Sequence, residues 1–119
     1  MKIAILGCGF VADLYMRTLP GHPELELVAA ADHNPKRAAA FSKHWGVATK
    51  STLDELLADE SIVAIINLTN PRDHYLLNKK CLEAGRHVYC EKPLAMQYEQ
   101  ALELVELAEA KNLQISAAP

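Results

Sequence analysis

Residues 7–12 read GCGFVA, setting two glycines and an alanine at the spacing Gly-x-Gly-x-x-Ala directly behind the apolar run Ile3–Leu6. Gly7 permits the backbone angles of a tight turn, and Gly9 leaves the main chain bare for the close approach of a phosphate. Ala12 lets a following helix pack tightly on the strand. A helix opening at Phe10, Val11 and Ala12 presents N–H groups without intrahelical acceptors, and the positive end of its dipole, to an anion in that turn. Asp32 stands at the end of the next apolar run, 20 residues beyond Ala12, where a carboxylate accepts hydrogen bonds from an adenosine ribose. Together these features predict binding of a dinucleotide, against the alternative of a plain structural turn with a surface aspartate. NAD is the expected cofactor because Asp32 repels a 2′-phosphate, while Lys36, Arg37 and His33 close by keep NADP open.

Such a turn works only between a strand and a helix, and the rest of the chain supplies that alternation. Apolar runs recur at Ile3–Leu6, Leu25–Ala31, Ile62–Leu68 and His87–Cys90, with weaker ones at Val47–Thr49 and Gln114–Ala117. They are apolar at successive positions, as in strands covered on both faces. Val11, Leu14, Tyr15, Thr18 and Leu19 form one helical stripe that ends at Pro20-Gly21. Asn34-Pro35 reads as an N-cap and first helical residue of a helix that stops at Gly46. Ser51, with Asp54 and Glu55 behind it, reads as the capped start of Leu53–Ala58. A longer helix follows Pro71, turns Leu77, Cys81 and Leu82 inward, and stops at Gly85. The last helix, about Tyr98–Lys111, places Ala101, Leu104, Val105 and Ala108 on one stripe. Strand and helix in alternation with short connections specify one doubly wound parallel α/β sheet of about six strands with helices on both faces. Ligands bind such a sheet outside the carboxyl ends of its strands, where the strand order reverses. A flavodoxin-like or receiver domain shares the alternation but gives no reason for GxGxxA.

Composition sets outer bounds. Half of the 119 residues are apolar, 23% are charged and the net charge is −3, as in an ordinary globular domain without the basic surface that nucleic acid or an anionic membrane requires. No apolar stretch approaches the roughly 18 residues of a membrane span, and the run after Lys2 is too short for a signal peptide. Cys8, Cys81 and Cys90 share no metal-ligand spacing and cannot all pair, so they read as buried small hydrophobes in a reducing, cytoplasmic compartment.

Two further segments leave the carboxyl ends of expected strands, NLTNPRDHY (67–75) and HVYCEKPLA (87–95), and so border the same crevice. Together with GCGFVA, ADHNPKRA, TLDELLAD, CLEAGRHVYCEKPLA and ALELVELAEAKN, they resemble the N-terminal Rossmann-type domain of the Gfo/Idh/MocA family of NAD(P)-dependent oxidoreductases, from Lys2 to about Ile115. The resemblance implies that Glu91, Lys92 and Pro93 are the family's EKP motif. There the lysine reaches the nicotinamide and substrate side of the cleft and the proline fixes the loop, often through a cis bond. An ammonium group placed there can orient a reacting hydroxyl or carbonyl and stabilise developing negative charge. An ordinary solvated Glu91-Lys92 ion pair is the alternative. Thr69, Asn70 and Pro71 match the stretch lining the nicotinamide ribose, although TNPRDH departs from the usual TPxxxH. His74 matches the histidine of the next helix, where a surface or packing role is equally open. The resemblance further implies a second domain, absent from this chain, that carries the small-molecule substrate pocket, the acid/base residue and the sheet used for homo-oligomerisation. The expected reaction is hydride transfer between nicotinamide and a sugar, polyol or related hydroxyl compound. The isolated chain is expected to bind cofactor without efficient turnover; a free-standing nucleotide-sensing module is the other reading.

Overall fold

A computed structural model describes all residues from Met1 to Pro119. Six strands form one parallel sheet: β1 (Lys2–Leu6), β2 (Glu26–Ala31), β3 (Thr49–Lys50), β4 (Ala64–Asn67), β5 (His87–Cys90) and β6 (Ile115–Ala117). Their spatial order is β3-β2-β1-β4-β5-β6, so the chain winds outward from β1, returns beside it, and winds outward on the other side. The reversal lies between β1 and β4, which is where a crevice opens in such a sheet. Five helices connect the strands: α1 (Phe10–Thr18), α2 (Pro35–Trp45), α3 (Leu53–Leu57), α4 (His74–Glu83) and α5 (Tyr98–Ala110).

The unbroken apolar character of β1 has a direct cause. Ile3 and Ile5 bury against Ala12 of α1 and Phe41 of α2 on one face, while Ala4 and Leu6 belong to the opposite core with Leu56, Leu82, Leu104 and Ala108 of α3, α4 and α5. Both faces are covered, so successive residues must all be apolar. Each fully buried Ile or Leu contributes about 1.5–3 kcal/mol relative to exposure.

Local signals set most helix ends. The Asn34 side chain accepts the N–H groups of Lys36 and Arg37, Pro35 occupies the first helical position, and Gly46 closes α2 at φ +69°. Several expectations need correction. The cap of α3 is Thr52, not Ser51: its hydroxyl oxygen accepts the Glu55 N–H at 3.2 Å, while the hydroxyl itself donates to the Glu55 carboxylate at 3.3 Å. The edge strand β3 lies at Thr49–Lys50 instead of Val47–Thr49, because Ala30 and Asp32 donate to the carbonyls of Ala48 and Lys50 while Val47 turns into the core. On α1 the inward face centres on Ala12 with Val11, Tyr15, Met16 and Leu19 beside it, leaving Leu14 and Thr18 exposed. On α5, Leu104 and Ala108 are buried, whereas Val105 sits at the margin.

Arg86 is buried without a carboxylate partner. Its guanidinium donates to the carbonyls of Ile62, Ala84, Leu57 and Asp59 at 2.8–3.0 Å, stitching the end of α3 to the start of β5. No helix is long and apolar enough to cross a membrane.

Candidate functional site

The two glycines of the first turn prove to have different work. Gly7 adopts φ +101°, and a Cβ there would lie 2.8 Å from both the carbonyl carbon and oxygen of Leu68. The turn is pressed against the main chain leaving β4, so only glycine fits. Gly9 has extended backbone angles, φ −88° and ψ −161°, and no atom lies within 4 Å of where its Cβ would stand. Its bareness serves nothing inside the chain. Beside it, the N–H groups of Phe10 and Val11 find no acceptor, whereas Ala12, fully buried, donates back to the Gly9 carbonyl at 3.1 Å. Open space and two free donors at the N-terminus of a nine-residue helix fit a pyrophosphate.

Asp32 closes the adjacent wall and is buried, at 5% exposure. Its Oδ2 accepts the Cys8 N–H at 2.9 Å and the Arg37 Nε at 3.1 Å; its Oδ1 accepts the Asn34 N–H at 2.8 Å and the Arg37 Nη2 at 3.2 Å. Burial pushes this carboxyl up, but the N–H groups of Asn34 and Cys8 and the Arg37 guanidinium outweigh it and hold it below the ordinary aspartate range. Asp32 thus fastens the tip of β2 to the first turn as well as facing the cleft. Burial and the Asp32 charge together push the Cys8 thiol up to about 12. His33 stands exposed beside this carboxylate, with Nδ1 3.8 Å from Oδ1.

The crevice measures about 680 Å³. Of the residues expected there, Gly7, Gly9, Asp32, His33, Thr69 and Asn70 line it. Arg37, Ser51, Thr52, Leu53, Arg72, Asp73 and Leu77 line it too. Arg72 and Asp73 belong to the segment 67–75 expected to border the crevice and Arg37 stands beside Asp32, whereas Ser51, Thr52, Leu53 and Leu77 are not foreseen there, although Ser51–Leu53 follow the carboxyl end of β3 and the topology alone places that loop on the crevice. Leu53 and Leu77 supply apolar surface to this lining.

The remaining expected residues lie outside these walls. The Phe10 side chain is exposed, and Val11 is half-buried against the core. Pro71 opens a short 3-10 turn, Pro71–Asp73, capped by the Asn70 side chain. His74 is fully buried and does not face the crevice: Nδ1 lies 2.6 Å from the Pro93 carbonyl oxygen and Nε2 2.9 Å from that of Thr69. With both ring nitrogens engaged by main chain, it is a strut between the two loops and has no edge left for a cofactor. A parallel strut runs through the Asn67 side chain, whose Oδ1 accepts the Thr69 N–H and hydroxyl while its Nδ2 donates to the Asn78 Oδ1; the Asn78 Nδ2 in turn donates to the Leu94 carbonyl.

Glu91 accepts the Tyr15 hydroxyl at 2.7 Å, and burial followed by that bond raises the phenol well above its ordinary range. The solvated Glu91-Lys92 pair is therefore not formed. Lys92 is exposed and makes no ion pair, and the Lys92–Pro93 peptide is cis.

Comparison with known proteins agrees with this geometry. Residues 1–118 match the profile of Gfo/Idh/MocA, described as an oxidoreductase family with an NAD-binding Rossmann fold. A D-glucoside 3-dehydrogenase of Escherichia coli is 39% identical over 91% of the chain, which covers 31% of that protein. The WlbA dehydrogenase of Chromobacterium violaceum, solved with NADH and UDP-GlcNAcA, superposes with a TM-score of 0.92 at 28% identity, over 99% of this chain and 34% of its own. A biliverdin reductase of Synechocystis, solved with biliverdin and NADP+, superposes with a TM-score of 0.91 at 26% identity, over 98% of this chain and 37% of its own. The chain thus spans about a third of the length of the relatives it matches. A family match over residues 1–118, with solved relatives superposing over nearly the whole chain, leads to one assignment: the chain belongs to the Gfo/Idh/MocA family of oxidoreductases, as its NAD-binding Rossmann fold.

Proposed function

We propose that residues 1–119 are the dinucleotide-binding domain of a dehydrogenase acting on a sugar, polyol or related hydroxyl compound, completed by a second domain that carries the substrate pocket. The observation that carries the reading is the open main chain at Gly9 beside the acceptor-free N–H groups of Phe10 and Val11. In this reading those donors hold the pyrophosphate, Asp32 faces the adenosine ribose, and Thr69 and Asn70 border the nicotinamide ribose. Lys92, exposed and without an ion-pair partner, is the catalytic residue of this domain: its ammonium orients the substrate oxygen and stabilises negative charge there. The bound nicotinamide supplies the hydride acceptor or donor. Struts through His74 and Asn67 keep the Thr69 and Pro93 loops at a fixed separation, so that Lys92 is presented on a rigid base. The sugar dehydrogenase among the relatives supports the substrate class, and three buried free thiols suit a reducing, cytoplasmic setting.

Fluorescence titration of the chain with NADH and NADPH, with FMN as a control, tests the reading. Saturable binding of a nicotinamide dinucleotide and none of FMN is expected. Absence of dinucleotide binding at millimolar concentration, or equal binding of FMN, would overturn it.

A further inference from the structure

Lys92 is exposed and unpaired although its immediate neighbour in the chain is a carboxylate. Opposite charges on two long side chains at a strand end ordinarily meet in water as a weak ion pair. Here Glu91 is engaged elsewhere, by a residue 76 positions earlier. Tyr89 and Glu91 stand two apart along β5 and its continuation, and therefore share the face toward α1. On α1, the half-buried Tyr15 donates its hydroxyl to Glu91 Oε1 at 2.7 Å. The Tyr89 ring lies against that of Tyr15, with centroids 6.3 Å apart and planes tilted by 60°. Burial, and then the bond to Glu91, keep the proton on the phenol, so the donor persists at neutral pH.

The backbone does not need this bond. The Glu91 N–H already donates to the Asn67 carbonyl at 3.0 Å, His74 engages the Pro93 carbonyl, and Asn78 donates to that of Leu94. What the Tyr15 hydroxyl fixes is the Glu91 carboxylate, which makes no other hydrogen bond within the chain and no ion pair. Released, that half-buried carboxylate would have the adjoining ammonium as its nearest cation along the sequence. Pairing would neutralise the charge that the reaction needs free.

Resting on the reading of Lys92 given above, we infer that Tyr15 is a positioning residue of this site: its hydroxyl withholds Glu91 from Lys92 and so keeps the ammonium available to a substrate oxygen. Tyr15 acts through Glu91 alone, and Tyr89 acts by packing against the Tyr15 ring.

Competitive acylation of the folded chain with acetic anhydride tests this without any cofactor. The rate at Lys92 is read by mass spectrometry of its peptide against that at Lys43, which is exposed and makes no ion pair. In Tyr15→Phe, which keeps the ring and removes only the hydroxyl, the Lys92 to Lys43 ratio should fall about threefold, the scale of an exposed ion pair, because pairing holds the proton on the amine. Adding Glu91→Gln to Tyr15→Phe should restore the wild-type ratio, since the amide has no charge to offer the lysine, and Glu91→Gln alone should label like wild type. A merely structural tyrosine leaves the ratio unchanged in Tyr15→Phe, or raises it as the loop loosens, and gains nothing from the second substitution; any of these results would overturn the inference. NADH titration of the same samples reads the dinucleotide proposal separately. Binding of NADH with an unaltered labelling ratio sinks the role of Tyr15 alone, whereas the expected labelling without any NADH binding would overturn the dinucleotide reading and with it the use made of the free lysine.

Discussion

Replacing each glycine of the first turn by alanine should separate folding from binding. At Gly7 the new Cβ meets two costs. Positive φ disfavours an L-residue by about 1–2 kcal/mol, and the contact 2.8 Å from the Leu68 carbonyl adds about 1–3 kcal/mol of overpacking. The neighbour cannot yield, since Leu68 is held to β1 by its own N–H bond to the Leu6 carbonyl at 2.7 Å. The smaller unfolded-state entropy of alanine returns about 0.4–1 kcal/mol, leaving a net loss of about 2–4 kcal/mol, or roughly 6–20 °C in Tm for a domain of this size. At Gly9 the backbone angles suit any residue and the space is empty. Alanine is a poorer N-cap than glycine by some tenths of a kcal/mol up to about 1, which the same entropy term offsets, so Tm should move by no more than about 3 °C. Yet Gly9→Ala should weaken NADH binding about tenfold or more, because the methyl group fills the space over the free N–H groups. Thermal unfolding by circular dichroism and NADH fluorescence on the same samples give both quantities. A Gly9→Ala protein that melts like Gly7→Ala, or binds NADH like wild type, would refute the division.

Arg86→Met should cost about 3 kcal/mol or more, because it strips the donors from four carbonyls at once, and urea unfolding reads the shift directly. Asp32 sits below its unfolded value of about 3.9, so its stabilising contribution is present above that pH and disappears as pH falls through the lower folded value. Wild type should therefore unfold at lower urea as pH drops from about 5 toward 2, and its advantage over Asp32→Asn should shrink over the same window. Burial pushes the thiols of Cys8 and Cys81 up to about 12 and that of Cys90 to about 11. At pH 8 all three should resist a thiol reagent in the folded chain and react within minutes in guanidinium; labelling of the native protein at the denatured rate would contradict the burial.

What the amino-acid order made legible was whatever a few neighbouring residues decide. The limits of α2 could be read from Asn34-Pro35 and Gly46 because a cap and a left-handed turn are local devices. The central strands β1 and β4 could be read because burial on two faces leaves runs with no polar alternation, whereas the short edge strand β3, Thr49–Lys50, carries no such run and was displaced by two residues at its start. Even the Ser51 error was local, since Thr52, one residue on, is also a good capping side chain and stands three residues before Glu55, whose N–H it accepts.

The roles of single residues in the crevice depend on partners far along the chain, and there local reading reaches its end. Spacing assigns Gly7 to the turn and Gly9 to the approach of a phosphate, but only the return of β4 beside β1 shows that a side chain at the first would strike Leu68 while one at the second would meet nothing. Asp32 looks like a free acceptor until α2 folds Arg37 over it. His74 lies 19 residues from Pro93 and 5 from Thr69, and nothing in its immediate sequence shows that both carbonyls converge on one ring. In each case the sequence pattern identified a residue of consequence, while long-range packing decided what it does. A motif therefore limits which residues border such a crevice, but the hydrogen bonds each one has already formed determine what remains to offer a ligand.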